Sequence, residues 1–227
     1  MLLFVILYLL LTFAFMYFNY NDMFTLRTCF KTICSLMFVI APFLITKDNK
    51  KIRQTKYFKT MLVGLIFAFI GDVLLDLDKT LGILFVLGML FFALTHVMYS
   101  LSFKQHVKFN KTTLISFLVL IIPTAYIINF SNLIDCGDLI VVINIYAVII
   151  SLMLGLAVTV YKKKELNKNF KTRNLLGVML FAVSDLILLF SIFGNTPKIL
   201  LPINNLIYYV AQLIICYSFY KTKHTYK

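Results

Sequence analysis

The fold class this sequence predicts is an all-α, polytopic membrane bundle of about eight transmembrane helices. The chain is 61% hydrophobic, with a mean hydropathy of +0.92, a composition no soluble domain carries. Only 14% of its residues are charged, and they gather between apolar blocks about 18–24 residues long. Blocks of that length cross a hydrocarbon core of about 30 Å. Lipid offers the backbone no hydrogen-bond partners, so the crossing segments are helices.

Eight blocks follow one another, at roughly 1–18, 28–46, 58–76, 80–103, 112–130, 138–161, 174–193 and 199–220. The first lacks a basic leader and a small-residue cleavage site and reads as a retained helix rather than a signal peptide. The second ends where Lys47, Lys50, Lys51, Arg53, Lys56 and Lys59 begin. Lys104, Lys108 and Lys111 part the fourth from the fifth. Lys162, Lys163, Lys164, Lys168, Lys171 and Arg173 part the sixth from the seventh, and Lys221, Lys223 and Lys227 follow the eighth. These are 18 of the 22 Lys and Arg, all on one side if eight helices alternate. Arg27, Lys31, Lys79 and Lys198 fall on the other. The positive-inside rule then puts both termini in the cytoplasm. The net charge of +13 therefore faces anionic headgroups, and no nucleic-acid partner is expected. The abundance of Lys, Asn, Ile, Phe and Tyr points to an AT-rich genome and a bacterial cell membrane.

Within this one membrane domain, 1–227, a phrase recurs. Gly64 precedes Gly71-Asp72-Val-Leu-Leu75, and Gly177 precedes Ser184-Asp185-Leu-Ile-Leu188. Both read glycine, then a small residue and an aspartate, and the two lie four helices apart. The pattern predicts two four-helix halves, 1–106 and 107–227, related by an axis along the membrane normal. Helix four, with Phe92, His96 and Tyr99, and helix eight, with Tyr208 and Gln212, echo each other more faintly.

An aspartate at bilayer depth costs roughly 2.5–3.5 kcal/mol on insertion scales, so intramembrane acids usually mark a site. Asp72 and Asp185 are the candidate catalytic groups; the plain alternative is that each bonds a neighbouring helix or pairs with Lys31. Asp76 and Asp78 read as a solvated helix edge. Lys31 either snorkels to the surface or anchors a phosphate. His96 is the one histidine inside a helix; His106 and His224 fall in basic segments. Asn205, Tyr208, Tyr209 and Gln212 share a helical stripe, with Asn204 beside it. That stripe either lines a wet pocket or glues helices. One histidine, two aspartates and the scattered Cys29, Cys34, Cys136 and Cys216 do not compose a zinc set. No metal and no cofactor are expected, and the cysteines read as apolar filler.

At these residues the chain resembles the YhhN-type membrane lysoplasmalogenases. The matching pieces are Lys31, Gly71-Asp72-x2-Leu75, Gly88-x3-Phe92-x3-His96-x2-Tyr99, Gly177-x6-Ser184-Asp185-x2-Leu188 and Tyr208-Tyr209-x2-Gln212. Thr32 stands where the family often has proline after the lysine. The resemblance implies an eight-helix layout and hydrolysis of the vinyl-ether bond of a lysophospholipid, giving a fatty aldehyde and a glycerophospho-alcohol. A carboxylic acid that keeps its proton can protonate the alkene carbon, and a second carboxylate can stabilise the oxocarbenium ion or activate water, as carboxylate pairs do in glycosidases. The expectation is that Asp72 and Asp185 face one cavity, within roughly 5–10 Å of each other. Lys31, His96, Tyr99, Asn205, Tyr208, Tyr209 and Gln212 would bind the substrate around it. The rival readings are a small proton-coupled transporter and a non-catalytic lipid-binding protein. The partners expected are a lysophospholipid and membrane lipids.

Overall fold

A computed structural model describes residues 1–78 and 81–219. The described residues form eight long helices: α1 (Leu2–Tyr20), α2 (Phe24–Ile45), α3 (Lys56–Leu77), α4 (Ile83–Phe103), α5 (Lys111–Phe130), α6 (Ile140–Lys162), α7 (Lys168–Phe193) and α8 (Leu200–Tyr217). Each is long and apolar enough to cross a membrane; the chain is an integral, multi-pass membrane protein. Leu3, Leu10, Ile83, Val119, Ile122 and Phe130 face outward and are exposed, as side chains solvated by lipid would be. Lys79 and the tail with Lys221, Lys223, His224 and Lys227 lie outside the described residues.

The spans differ from expectation mainly at their polar ends. Helix α7 starts at Lys168 rather than at 174, so Lys171 and Arg173 belong to its first turns. These early starts have a local cause. At the basic end, Thr55, Asn110 and Asn167 each accept a backbone N–H and cap α3, α5 and α7. Such a cap stabilises a helix by about 1 kcal/mol. Helices α2, α4, α6 and α8, which start at the opposite end, have no cap from their own N-cap side chains. There Asp78 does the work for α4, accepting from Gly82 N (3.1 Å) and Phe85 N (3.0 Å). Pro123 lies inside α5 and Pro42 in the last turns of α2.

Helix neighbours are α1–α2, α2–α3 and α3–α4 in the first half, and α5–α6, α6–α7 and α7–α8 in the second. Across the halves α2 meets α8 and α4 meets α6. The pattern survives exchange of each helix with the one four places on, except that α1 also packs on α8 while α5 makes no comparable contact with α4. The glycines of the recurring phrase are what close the tightest pairs. A Cβ on Gly64 would come within 2.5 Å of the Tyr99 ring of α4, and one on Gly177 within 2.5 Å of Ile215 of α8. In lipid the helices gain nothing from hiding apolar surface from each other, so small residues and polar contacts hold them. Tyr99 and Gln212, 113 positions apart like the two phrases, share a hydrogen bond of 2.9 Å. Tyr57 and Phe170, separated by the same offset, pack with ring centroids 5.2 Å apart and planes tilted by 60°.

Candidate active site

Two polar clusters form in the apolar interior, one on each aspartate. Asp72, five residues from the end of α3, points between α2 and α8. Its Oδ2 accepts from Ser35 Oγ (2.6 Å) and Tyr208 OH (2.8 Å). Lys31 Nζ lies 4.0 Å from Asp72 and 3.7 Å from Asp76. Arg27 Nε is 3.1 Å from Asp76, and Thr28 donates to the same carboxylate. Asp76 is thus buried and paired with two cations, not the solvated edge expected. Arg27, Lys31 and Ser35 follow at four-residue spacing, which puts them on one face of α2; that face meets α3. Here two cations balance two carboxylates, and Lys31 stands between Asp72 and Asp76.

Asp185, on α7, gathers the second cluster. Its Oδ2 accepts from Tyr146 OH of α6 (2.9 Å) and lies 3.0 Å from His96 Nε2 of α4. The tyrosine oxygen is 2.8 Å from the same ring nitrogen. His96 is fully buried and its Nδ1 has no partner; Nε2 can donate to the acceptor-only carboxylate when it carries the proton. No lysine or arginine pairs with Asp185 among the described residues.

Between the clusters stand three rings. Phe181 packs 6.1 Å from Phe92 and 5.3 Å from Tyr208, and Phe92 lies 5.8 Å from Tyr208. Tyr208 donates to Asp72 on one side, while Phe181 touches His96 on the other, at 4.6 Å.

An apolar cavity of about 270 Å³ lies on the Asp185 side, walled by α4, α5, α6 and α7 with Leu75 of α3. Asp185 is the only carboxylate in its wall, with Tyr146 beside it. The Asp185 side chain is 12% exposed against 3% for Asp72. The expectation that both acids face one cavity is corrected: Asp72 is not among the lining residues, because α3 turns it toward α2 and α8 and the ring partition intervenes. Nor do His96, Tyr99, Asn205, Tyr208, Tyr209 or Gln212 line that cavity. His96 sits behind Asp185. The helix-eight stripe splits among the helices around it. Tyr208 goes to Asp72. Tyr209 lies 3.0 Å from Ser35 Oγ and donates to the Lys31 carbonyl at 3.3 Å. Gln212 receives Tyr99, and Asn205 is half-buried.

Ser35 and Tyr146 were missed by reading the sequence. Ser35 carried a faint signal, one turn beyond Lys31 on the same face. Tyr146 had little: a phenol within the largely aliphatic run of α6.

A family model described as the YhhN family matches residues 26–219. The chain is also 30% identical over 200 residues to "Lysoplasmalogenase TMEM86A" of Bos taurus, across 84% of this chain and 75% of that protein. No solved structure matches significantly.

Proposed function

We propose, from the premise that the chain belongs to the YhhN family, that it is a lysoplasmalogenase-like hydrolase. The substrate is a lysophospholipid with a vinyl-ether chain, and the basic loops and both termini face the cytoplasm. The two halves, 1–106 and 107–227, are repeats in this reading. The observation that carries the function is a lone carboxylate, hydrogen-bonded to a tyrosine and a histidine, in the wall of a largely apolar cavity.

The reaction needs one proton donor and one water. Asp185 protonates the alkene carbon remote from oxygen, and the C–O carbon becomes an oxocarbenium ion. Its carboxylate then stabilises that cation at short range, as a fixed negative group does in a water-poor site. Water adds to the cation and returns a proton to Asp185. The resulting hemiacetal breaks its C–O bond to release aldehyde and the glycerophospho-alcohol. Both protein hydrogen bonds fall on Oδ2, which leaves Oδ1 for the substrate. Tyr146 and His96 hold the carboxylate in one orientation, the preorganisation that positioned acids require. Asp72 is a positioning residue: it fixes Lys31, Ser35 and Tyr208, and Tyr208 in turn backs the ring partition.

The test is aldehyde release by purified, lipid-reconstituted protein from lysoplasmalogen, its saturated-ether analogue and its ester analogue. Aldehyde from the vinyl ether alone is expected, because the saturated ether has no alkene carbon to protonate. No aldehyde from the vinyl ether, together with proton movement across the vesicles, would overturn the hydrolase reading in favour of a transporter.

A further inference from the structure

The cavity beside Asp185 exists because the two halves differ. Taking the 113-residue offset of Tyr99 and Gln212, α1 is the counterpart of α5, and Phe15 the counterpart of Ile128. In the first half, Tyr8 and Phe15 are fully buried and pack edge-on against Tyr209, at 6.0 and 5.7 Å. Tyr8 also donates to the Tyr209 carbonyl at 2.9 Å. Those rings bind α1 to α8 over Tyr209, which in turn meets Ser35 of the Asp72 cluster. In the second half smaller aliphatic groups stand at these places, Ile121 and Ile128, and α5 packs on α6 without closing on α4. The space left over is the cavity.

Its wall opens to the side. Met179, Val183 and Leu186 line it and are also exposed on the outer surface, the surface that meets lipid. From Met179 to Phe193 the lining runs along α7 for roughly 21 Å at 1.5 Å per residue. The volume of about 270 Å³ lies just below that of ordinary ligand pockets, which hold about 300–1,000 Å³. A long, narrow, apolar space with one carboxylate suits one hydrocarbon chain and not two.

Resting on the hydrolase reading above, we infer that this cavity is the chain-binding subsite: it admits a single-chain lipid sideways from the bilayer and lays its first chain carbons against Asp185. The bilayer is as apolar as the cavity, so the cavity adds little affinity. What it supplies is registration of the chain and exclusion of two-chain lipids. The paired space at Asp72 is closed by Tyr8 and Phe15 and takes no chain.

The experiment uses a saturated-ether lysolipid carrying a diazirine midway along its chain, which binds without being cleaved. Reconstituted full-length protein is illuminated and the labelled peptides are mapped, for the wild type, for Ala182→Phe and for the milder Ala147→Leu, both of which fill the cavity. Expected are labels on Leu120, Thr124 and Ser151 in the wild type, lost at least about 10-fold in either folded variant. Labels on the lipid-facing Val119 and Ile122 should persist. Excess diacyl phospholipid should not compete, whereas unlabelled lysolipid should. Labelling confined to lipid-facing residues, or cavity labels undiminished in both variants, would overturn the subsite. Labelling in the cavity without aldehyde from the vinyl ether would leave the subsite standing and remove the reaction; aldehyde without cavity labels would do the reverse.

Discussion

Replacing each aspartate by asparagine should separate two roles that the recurring phrase made look alike. In Asp72→Asn the amide oxygen still accepts from Ser35 and Tyr208, but the charge is gone. Arg27 and Lys31 then face the single carboxylate of Asp76, at 3.1 and 3.7 Å. Removing one partner of a buried ion pair costs about 3–5 kcal/mol; because Lys31 keeps Asp76, the low end, about 3 kcal/mol, applies. At roughly 2–4 °C per kcal/mol for a chain of this size, Tm falls by roughly 6–12 °C. Asp185 has no lysine or arginine partner to strand, and its two donors can still reach an amide oxygen. Asp185→Asn should cost about 1 kcal/mol, yet lose at least about 100-fold in turnover, the usual effect of removing a positioned acid. That loss is about 2.7 kcal/mol of barrier. The assays are thermal unfolding and aldehyde release on the same reconstituted samples, with turnover normalised to folded protein. Near-wild-type turnover in Asp185→Asn would remove that residue from the chemistry. A fully stable Asp72→Asn with a 100-fold loss in turnover would show that Asp72 also acts on substrate, and the division argued above would fail.

The other predictions follow from neighbouring residues. Tyr146→Phe deletes one donor to Asp185 and keeps the ring in the cavity wall, so kcat should fall by about 10-fold or more while KM holds; an unchanged kcat would reduce Tyr146 to packing. His106, beyond the end of α4, is lowered from 6.5 to about 4 by burial and by Lys163. The unfolded chain therefore binds the proton first, so this contribution to stability is intact above pH 6.5 and drains away as pH falls toward 4. His106→Phe keeps the ring contacts with Tyr57 and Phe170, at 5.3 and 5.1 Å, and should flatten the fall in Tm between pH 7 and 5; an identical slope would rule the residue out. For the proposed orientation, Lys51→Cys and Lys168→Cys should resist an impermeant thiol reagent added to intact cells, and labelling there would invert the topology.

The eight helices were legible because a bilayer writes its thickness into the chain: each crossing needs its own apolar block, whatever it later packs against. The asymmetry of the basic loops was legible for a similar reason, since it reflects each loop's own composition. Asp72 and Asp185 stood out because a carboxylate in such a block is costly wherever its helix turns. What lies around them was not legible. Ser35 and Tyr146 sit on helices far off in sequence, and their reach to Asp72 and Asp185 depends on the rotation of each helix about its axis. A rotation of one residue would carry either hydroxyl away. Asp76 looked like a surface edge because nothing in its own segment announces Arg27 and Lys31. The sequence's repetition also suggested one shared site, whereas packing made two. Tyr8 and Phe15 close the first half where Ile121 and Ile128 leave the second open, and Phe92, Phe181 and Tyr208 part the carboxylates. Chain composition determines which segments leave water; only the meeting of side chains from several helices decides which of two similar acids has room beside it.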